Sequence, residues 1–114
     1  MTVSAAMVVT ALVYSGIPNP SWTIPEARAA EVSRAIAGIP RLDRDCPPQG
    51  GLGYSGVRVD IPDRGGAERT WIFAKGVAVS GDHCYADSGR KIERLLLESG
   101  RGRVDAALLE TMLR

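Results

Sequence analysis

The sequence predicts an α+β domain, a two-layer β-α-β-β-α-α fold with a small three-stranded sheet and helices mainly on one face. Three observations predict it: an apolar β-branched run near the beginning, a pair of strand-like segments in the middle, and amphipathic segments of helical period after each. The chain has 114 residues and shows no break in composition, so residues 1–114 are predicted to form one domain.

The first element is a predicted strand over residues 7–14. The run is apolar on both faces, so we expect it to be covered on both sides or to lie centrally in the sheet. No basic residues precede it, as they would in a secretory signal, and it is too short to span a bilayer. We therefore predict a cytoplasmic protein without membrane contact.

The next element is a predicted helix that begins at a capping box formed by Thr23 and Glu26 and ends at Gly38. The residues just before it, 15–22, contain two prolines that fix φ, which predicts a stiff loop. The long Pro/Gly-rich stretch 41–53 is also predicted to be a loop.

The middle of the chain predicts a hairpin. Residues 57–61 alternate between apolar and charged side chains, and residues 62–66 have the composition of a turn. A single return strand is predicted from 68 to 80, with a bulge or bend at Gly76.

Two helices are predicted at the end of the chain. The first is capped by Asp87 or Ser88 and ends at Gly100, and the second covers 103–114. The last helix predicts a homodimer, because four large apolar side chains rarely all find cover within one small domain. These side chains are Leu108, Leu109, Met112 and Leu113.

The charge balance argues against a nucleic-acid partner. There are 14 Lys and Arg against 13 Asp and Glu, and the two terminal helices carry acidic residues among their arginines. Phosphate recognition needs a concentrated basic face, which this balance does not provide. Arginine outnumbers lysine by 12 to 2, a bias associated with GC-rich bacterial coding sequences.

Two motif matches fail on their context. The segment 51–56 matches G-x-G-x-x-G, but it leads into a strand and not into a helix. The segment 88–91 matches S-x-x-K, but the other motifs of the β-lactamase-like enzymes are missing and helix capping explains Ser88. No cofactor is expected.

The weak catalytic candidates are Asp82, His83 and Cys84, because a cysteine and a histidine can form a nucleophile–base pair. Adjacent residues in a strand face opposite sides, however, which favours a structural role. A metal site that included Cys46 would have an irregular ligand set, so no metal is predicted. Whether Cys46 and Cys84 are bridged stays open.

The ligand-binding candidates lie in the loop before the first helix, and Tyr54 joins them if the strands are adjacent. The rigid Pro-Asn-Pro loop precedes a helix N-terminus, which favours anions, and an indole there can stack on a ligand. These candidates are Tyr14, Asn19, Trp22 and Tyr54. The alternative for Trp22 is an apolar contact over the helix.

The function that the sequence favours is a small bacterial binding or accessory module for a ligand or a protein partner. The alternative is a compact cofactor-free enzyme of a bacterial biosynthetic pathway, using Tyr, Asp, His or Cys in acid–base or nucleophilic chemistry. The enzyme requires at least two candidate groups to converge in one pocket with a perturbed pKa. The candidate groups are Tyr14, Tyr54, Asp60, Asp82, His83 and Cys84.

Overall fold

The computed structural model describes residues 7–13, 19–46, 54–62 and 68–114, which form a seven-stranded antiparallel sheet and three helices. The spatial order of the strands is β2-β1-β4-β5-β6-β7-β3. The strands are β1 (Met7–Leu12), β2 (Ser21–Ile24), β3 (Arg41–Leu42), β4 (Gly56–Pro62), β5 (Glu68–Ala74), β6 (Val77–Ser80) and β7 (His83–Ala86). The helices are α1 (Glu26–Ala37), α2 (Lys91–Glu98) and α3 (Ala106–Leu113), and a 3-10 turn, Ser88–Arg90, precedes α2.

The predicted three-stranded sheet is therefore wrong, for two reasons. The strands β2, β3 and β7 have four, two and four residues, and each lies where prolines, glycines or a polar loop predicted irregular structure. The predicted return strand 68–80 is two strands, because Lys75 and Gly76 have φ of 53° and 80° and reverse the chain completely.

The strand β1 lies between β2 and β4 and is antiparallel to both, so the first strand and the strand 57–61 are not parallel neighbours. Val9 and Ala11 are fully buried, whereas Val8 on the opposite face is 39% exposed. Of the two alternatives predicted for this run, cover on both faces is therefore wrong, whereas β1 does lie inside the sheet with a neighbour on each side.

The core lies on one face of the sheet, between the strands and the helices. The register pairs Val9 with Val59 and Val59 with Trp71, so their side chains share a face, and all three are buried. The helices supply the other side of this core from their apolar stripes. Its buried helical members include Val32, Ile36, Leu96, Leu97, Leu109 and Met112.

The helix ends follow only part of the predicted capping. Helix α1 begins after Pro25 without a side-chain cap, and Thr23 lies in β2, so the predicted capping box is not formed. Gly38 ends the helix as predicted. The Asp87 carboxylate caps α2, because it accepts hydrogen bonds from the amides of residues 92 and 93 at 2.8 and 3.0 Å.

None of the helices in the described ranges has both the length and the apolar character needed to cross a bilayer.

Candidate functional site

A cavity of about 250 Å³ lies where the beginning of β4 and the β5–β6 turn meet α2 and α3. The wall comes from small or apolar groups, including Gly56, Ala74 and Met112. The polar side chains around it include Tyr54, Lys75, Arg90 and Glu93. A concave apolar site with a few convergent polar groups is the usual form of a small-molecule site.

Glu93 is the central polar group of this cavity and is 1% exposed. Its Oε1 accepts a hydrogen bond from Nε of Arg90 at 3.1 Å, and its Oε2 accepts one from Nη2 of Arg90 at 2.7 Å. The hydroxyl of Tyr54 donates to the same Oε2 at 2.6 Å. The bidentate ion pair compensates the buried carboxylate, whose desolvation would otherwise be costly.

Arg90 also binds the end of α3. Its Nη2 donates to the carbonyl of Met112 at 2.8 Å, and its Nη1 donates to the carbonyl of Arg114 at 2.6 Å. The hydrogen bond with Glu93 is the largest influence that raises the pKa of the guanidinium. One cation thus joins α2 to α3 at the mouth of the cavity and satisfies carbonyls that a helix end leaves unpaired.

Tyr54 is a hydrogen-bond donor in this site. Burial raises the pKa of its phenol far above the ordinary value, and the hydrogen bond to Glu93 and the negative charge of that carboxylate raise it further. The hydroxyl therefore keeps its proton at neutral pH. That proton is donated to Glu93, and the hydroxyl is not poised to act as a general base.

Backbone strain is concentrated at the same cavity. Lys75 and Arg90 are the two non-glycine residues in the described ranges with positive φ, at 53° and 57°, and both line the cavity. Gly56 has φ of 139°, and a Cβ there would lie 2.8 Å from the carbonyl oxygen of Phe73. Such conformations persist only where the surroundings fix them, and they cluster at binding and active sites.

The structure brings only part of the predicted ligand-binding set to this cavity. Tyr54 lines it, whereas Tyr14 lies outside the described residues. Asn19 accepts a hydrogen bond from the amide of Val13 at 2.9 Å. Trp22 is 4% exposed, and its Nε1 donates to the hydroxyl of Ser99 at 2.8 Å. The indole packs inside the domain against Ser99 and Gly100, at the end of α2, and a role of these residues in ligand binding stays a prediction.

The weak catalytic candidates do not form a nucleophile–base pair. His83 and Cys84 are successive residues of β7, so their side chains point to opposite faces of the sheet. His83 is exposed, whereas Cys84 is buried and its thiol donates to the carbonyl of Arg44 at 3.5 Å. The backbone carbonyl of Asp82 accepts from the thiol of Cys46 at 3.6 Å. Within the described ranges, no group of three or more His, Cys, Asp or Glu side chains could hold a metal ion.

Three residues of the cavity were missed by the sequence reasoning: Lys75, Arg90 and Glu93. The sequence contains a signal for two of them, because Arg90 and Glu93 are spaced to pair on one helical face. That spacing usually marks an exposed ion pair, and nothing in the pattern shows that Glu93 is buried. Lys75 precedes a glycine, a dipeptide that is compatible with a tight hairpin turn.

The side chains that predicted a homodimer are mostly covered within the chain. Leu109, Met112 and Leu113 are 1%, 1% and 7% exposed, and Leu108 is half-buried. The small domain therefore does find cover for this helix, which removes the reason for the prediction. Self-association itself stays untested.

Comparison of the chain with protein-family models, with curated proteins and with solved structures finds no match.

Proposed function

We propose that this chain is a non-catalytic binding module that holds a small carboxylate-bearing molecule in the cavity beside Tyr54 and Glu93. One observation carries the proposal: the two strained non-glycine residues of the described ranges are both cations and both line this cavity. Backbone strain is retained where the strained residue has a function. The property that Lys75 and Arg90 share is positive charge, so we infer that their function is to attract an anion.

The charges around the cavity favour an anion. Arg90 compensates Glu93, so the two together contribute little net charge. Lys75 is exposed at the rim, and no carboxylate among the described residues pairs with it. An ammonium beside a partly desolvated cavity attracts a negative group more strongly than one surrounded by water. We expect the acid group of the ligand to lie against Lys75.

The remaining surfaces limit the size and the polarity of the ligand. The volume of about 250 Å³ is slightly below the roughly 300 Å³ at which pockets for drug-sized ligands begin, so the cavity suits a small organic acid better than a nucleotide. Met112 and Ala74 offer apolar contact for the body of that acid. The Arg90 guanidinium lies nearby to orient it, whereas the single proton of the Tyr54 hydroxyl is already donated to Glu93.

The same geometry supports binding over the alternative of catalysis. The enzyme alternative required at least two of its own candidate groups to converge in one pocket. Of the candidates that the structure describes, Tyr54 lines this cavity, whereas Asp60, Asp82, His83 and Cys84 do not. The other acid–base groups of this cavity are Lys75 and Glu93, and the Glu93 carboxylate is held in its bidentate ion pair with Arg90. The raised pKa of Tyr54 keeps it protonated, which suits a fixed hydrogen-bond donor.

The test is a titration of isotope-labelled protein with acetate, pyruvate, succinate and benzoate, each beside its uncharged amide, followed by amide chemical shifts. We expect at least one acid to shift the signals of Gly76, Arg90 and Met112, while its amide does not. Lys75→Ala should weaken that binding about tenfold, the effect of losing roughly 1.4 kcal/mol of attraction.

Lys91→Ala is the matched control, because Lys91 is the other lysine of the chain, is equally exposed and does not line this cavity. It should bind the acid as the unaltered chain does. The proposal is overturned if no acid shifts the cavity signals, if the amides bind equally well, or if both lysine variants behave alike.

A further inference from the structure

The geometry points to a second, independent site: Cys46 and Cys84 are a dithiol pair that a low-molecular-weight disulfide oxidises to an intramolecular disulfide. This inference concerns the opposite edge of the sheet from β1 and β2 and does not depend on the binding proposal.

The two cysteines are 38 residues apart in sequence, and the β3–β7 pairing brings them together. Leu42 is the register partner of Cys84, which fixes the chain just before Cys46 against β7. The thiol of Cys84 reaches the carbonyl of Arg44 at 3.5 Å, and the thiol of Cys46 reaches the carbonyl of Asp82 at 3.6 Å. The segment 43–46 therefore folds back over the end of β7 with both sulfur atoms beside it.

Both thiols therefore lie at the place where the backbone of residues 44–46 meets that of residues 82–84. A hydrogen bond with Cys84 is the largest of the influences that raise the pKa of Cys46 to about 11, and desolvation and the charges of Asp45 and Asp82 add to it. Thiols within hydrogen-bonding reach need only a small movement to form an S–S bond. The raised pKa means that little thiolate is present at neutral pH, so exchange is slow there and accelerates as the pH rises.

The difference in exposure sets the order of reaction. Cys46 is partly exposed, whereas Cys84 is buried. The Cys46 thiol loses its proton to water, and its thiolate attacks one sulfur of the small disulfide. A mixed disulfide forms, and one small thiolate leaves. The Cys84 thiol then loses its proton, its thiolate attacks the Cys46 sulfur, the protein disulfide forms and the second small thiolate leaves. The two small thiolates take up the two protons that the cysteines released. Two protein thiols are oxidised, and one small disulfide is reduced to two thiols.

The bond would reinforce the weakest edge of the sheet. Strand β3 has only two residues and lies at the edge of the sheet, paired with β7 alone. A covalent link from Cys46 to β7 restricts the unfolded chain through a long loop and holds β3 in register. Oxidation should therefore raise the midpoint of thermal unfolding by about 5 °C or more.

The test incubates the reduced full chain with oxidised glutathione and follows the intact mass and the thiol count. We expect the monomer to lose two hydrogens in mass and both titratable thiols, and the rate to rise steeply between pH 7 and pH 9. Cys84→Ser should stop at one bound glutathione on Cys46, and Cys46→Ser should react much more slowly.

Thermal unfolding of each product gives a second readout that does not depend on the variants folding normally. The unaltered chain should gain stability on oxidation and lose that gain on reduction. The inference is overturned if the unaltered chain accumulates as a stable mixed disulfide, if its cysteines link two chains, or if the oxidised monomer is no more stable than the reduced one.

Discussion

The hydroxyl of Tyr54 donates to Oε2 of Glu93 across 2.6 Å and joins the segment before β4 to the buried face of α2. Glu93 would be an uncompensated buried charge without its partners. With Tyr54 and Arg90 in place, the helix can direct a carboxylate into the domain at the position where the cavity opens.

Removing the carboxylate should be costly for the fold. Glu93→Ala leaves the Arg90 guanidinium and the Tyr54 hydroxyl without their partner, and breaking a buried pair from one side typically costs about 3 kcal/mol or more. Tyr54→Phe removes one hydrogen bond and keeps the ion pair, so we expect about 1 kcal/mol. Both values are measured as losses in the free energy of unfolding by denaturant titration.

Glu110→Ala provides the control, because Glu110 is an exposed partner of Arg101 and such surface pairs contribute little. Its free energy of unfolding should change by less than about 0.5 kcal/mol. If Glu93→Ala is no worse than Glu110→Ala, Glu93 does not stabilise the domain.

Alkaline pH should destabilise the domain through Tyr54. Its pKa in the folded state is raised above the ordinary tyrosine value of about 10, so the folded state holds the proton more tightly than the unfolded state. The resulting stability is fully present below about pH 10 and is lost as the pH rises towards the folded pKa. Tyr54→Phe lacks this contribution, so its free energy of unfolding should fall less between pH 9 and pH 11.5. Identical slopes for the two proteins would contradict this assignment.

The contact between Trp22 and Gly100 should tolerate no side chain. A Cβ on Gly100 would lie 2.7 Å from Cζ2 of Trp22, and the rigid indole is held in place by its hydrogen bond to Ser99. We expect Gly100→Ala to cost about 1–3 kcal/mol, as overpacking usually does. At Gly38 an added Cβ meets nothing closer than 3.8 Å, so Gly38→Ala should be neutral or slightly stabilising. Equal effects of the two changes on thermal unfolding would show that the indole can move aside.

Lys75 should lower the stability of its turn while providing the charge that binds a carboxylate. With Gly76 it forms a two-residue hairpin turn in which both φ values are positive, a conformation that asparagine adopts more readily than lysine. Lys75→Asn should therefore raise the free energy of unfolding by roughly 0.5–1 kcal/mol while abolishing the attraction for a carboxylate. A variant that is less stable, or that binds the acid unchanged, would remove the functional reason for the strain.

The elements with strong local patterns could be predicted from the sequence. Residues 57–61 alternate with period two and form β4, and Asp87 caps α2 because a short acceptor there meets the unpaired amides of the helix. Strands β2 and β7 could not be predicted in this way. Each has only four residues and depends on hydrogen bonds to a neighbouring strand. Strand β2 pairs with β1, which lies earlier in the chain, and β7 pairs with β6 across a tight turn.

The cavity was predicted only through Tyr54, for a related reason. Glu93 is buried because Tyr54, which is 39 residues away, and Arg90 both meet it, and no local pattern encodes that meeting. The prediction of a single strand over 68–80 was wrong because of one dipeptide, Lys75-Gly76. Gly76 was interpreted as a bulge, whereas the positive φ of Lys75 converts the same position into a complete reversal.

Strands β4 to β7 are neighbours in the sheet and consecutive along the chain, whereas β1 reaches β4, and β3 reaches β7, only across long separations. Val9 and Val59, for example, are 50 residues apart. Closing such a long loop costs entropy before any contact compensates that cost. Pairings of this kind therefore form slowly. We expect the β4–β7 meander to gain amide protection first in pulsed hydrogen exchange, and β1, β2 and β3 to be the last to do so. Simultaneous protection of all seven strands would contradict this order.

If the meander forms first, the outer backbone of β4 stays unpaired until β1 adds to the sheet. That exposed edge is where an incompletely folded chain is most open to aggregation.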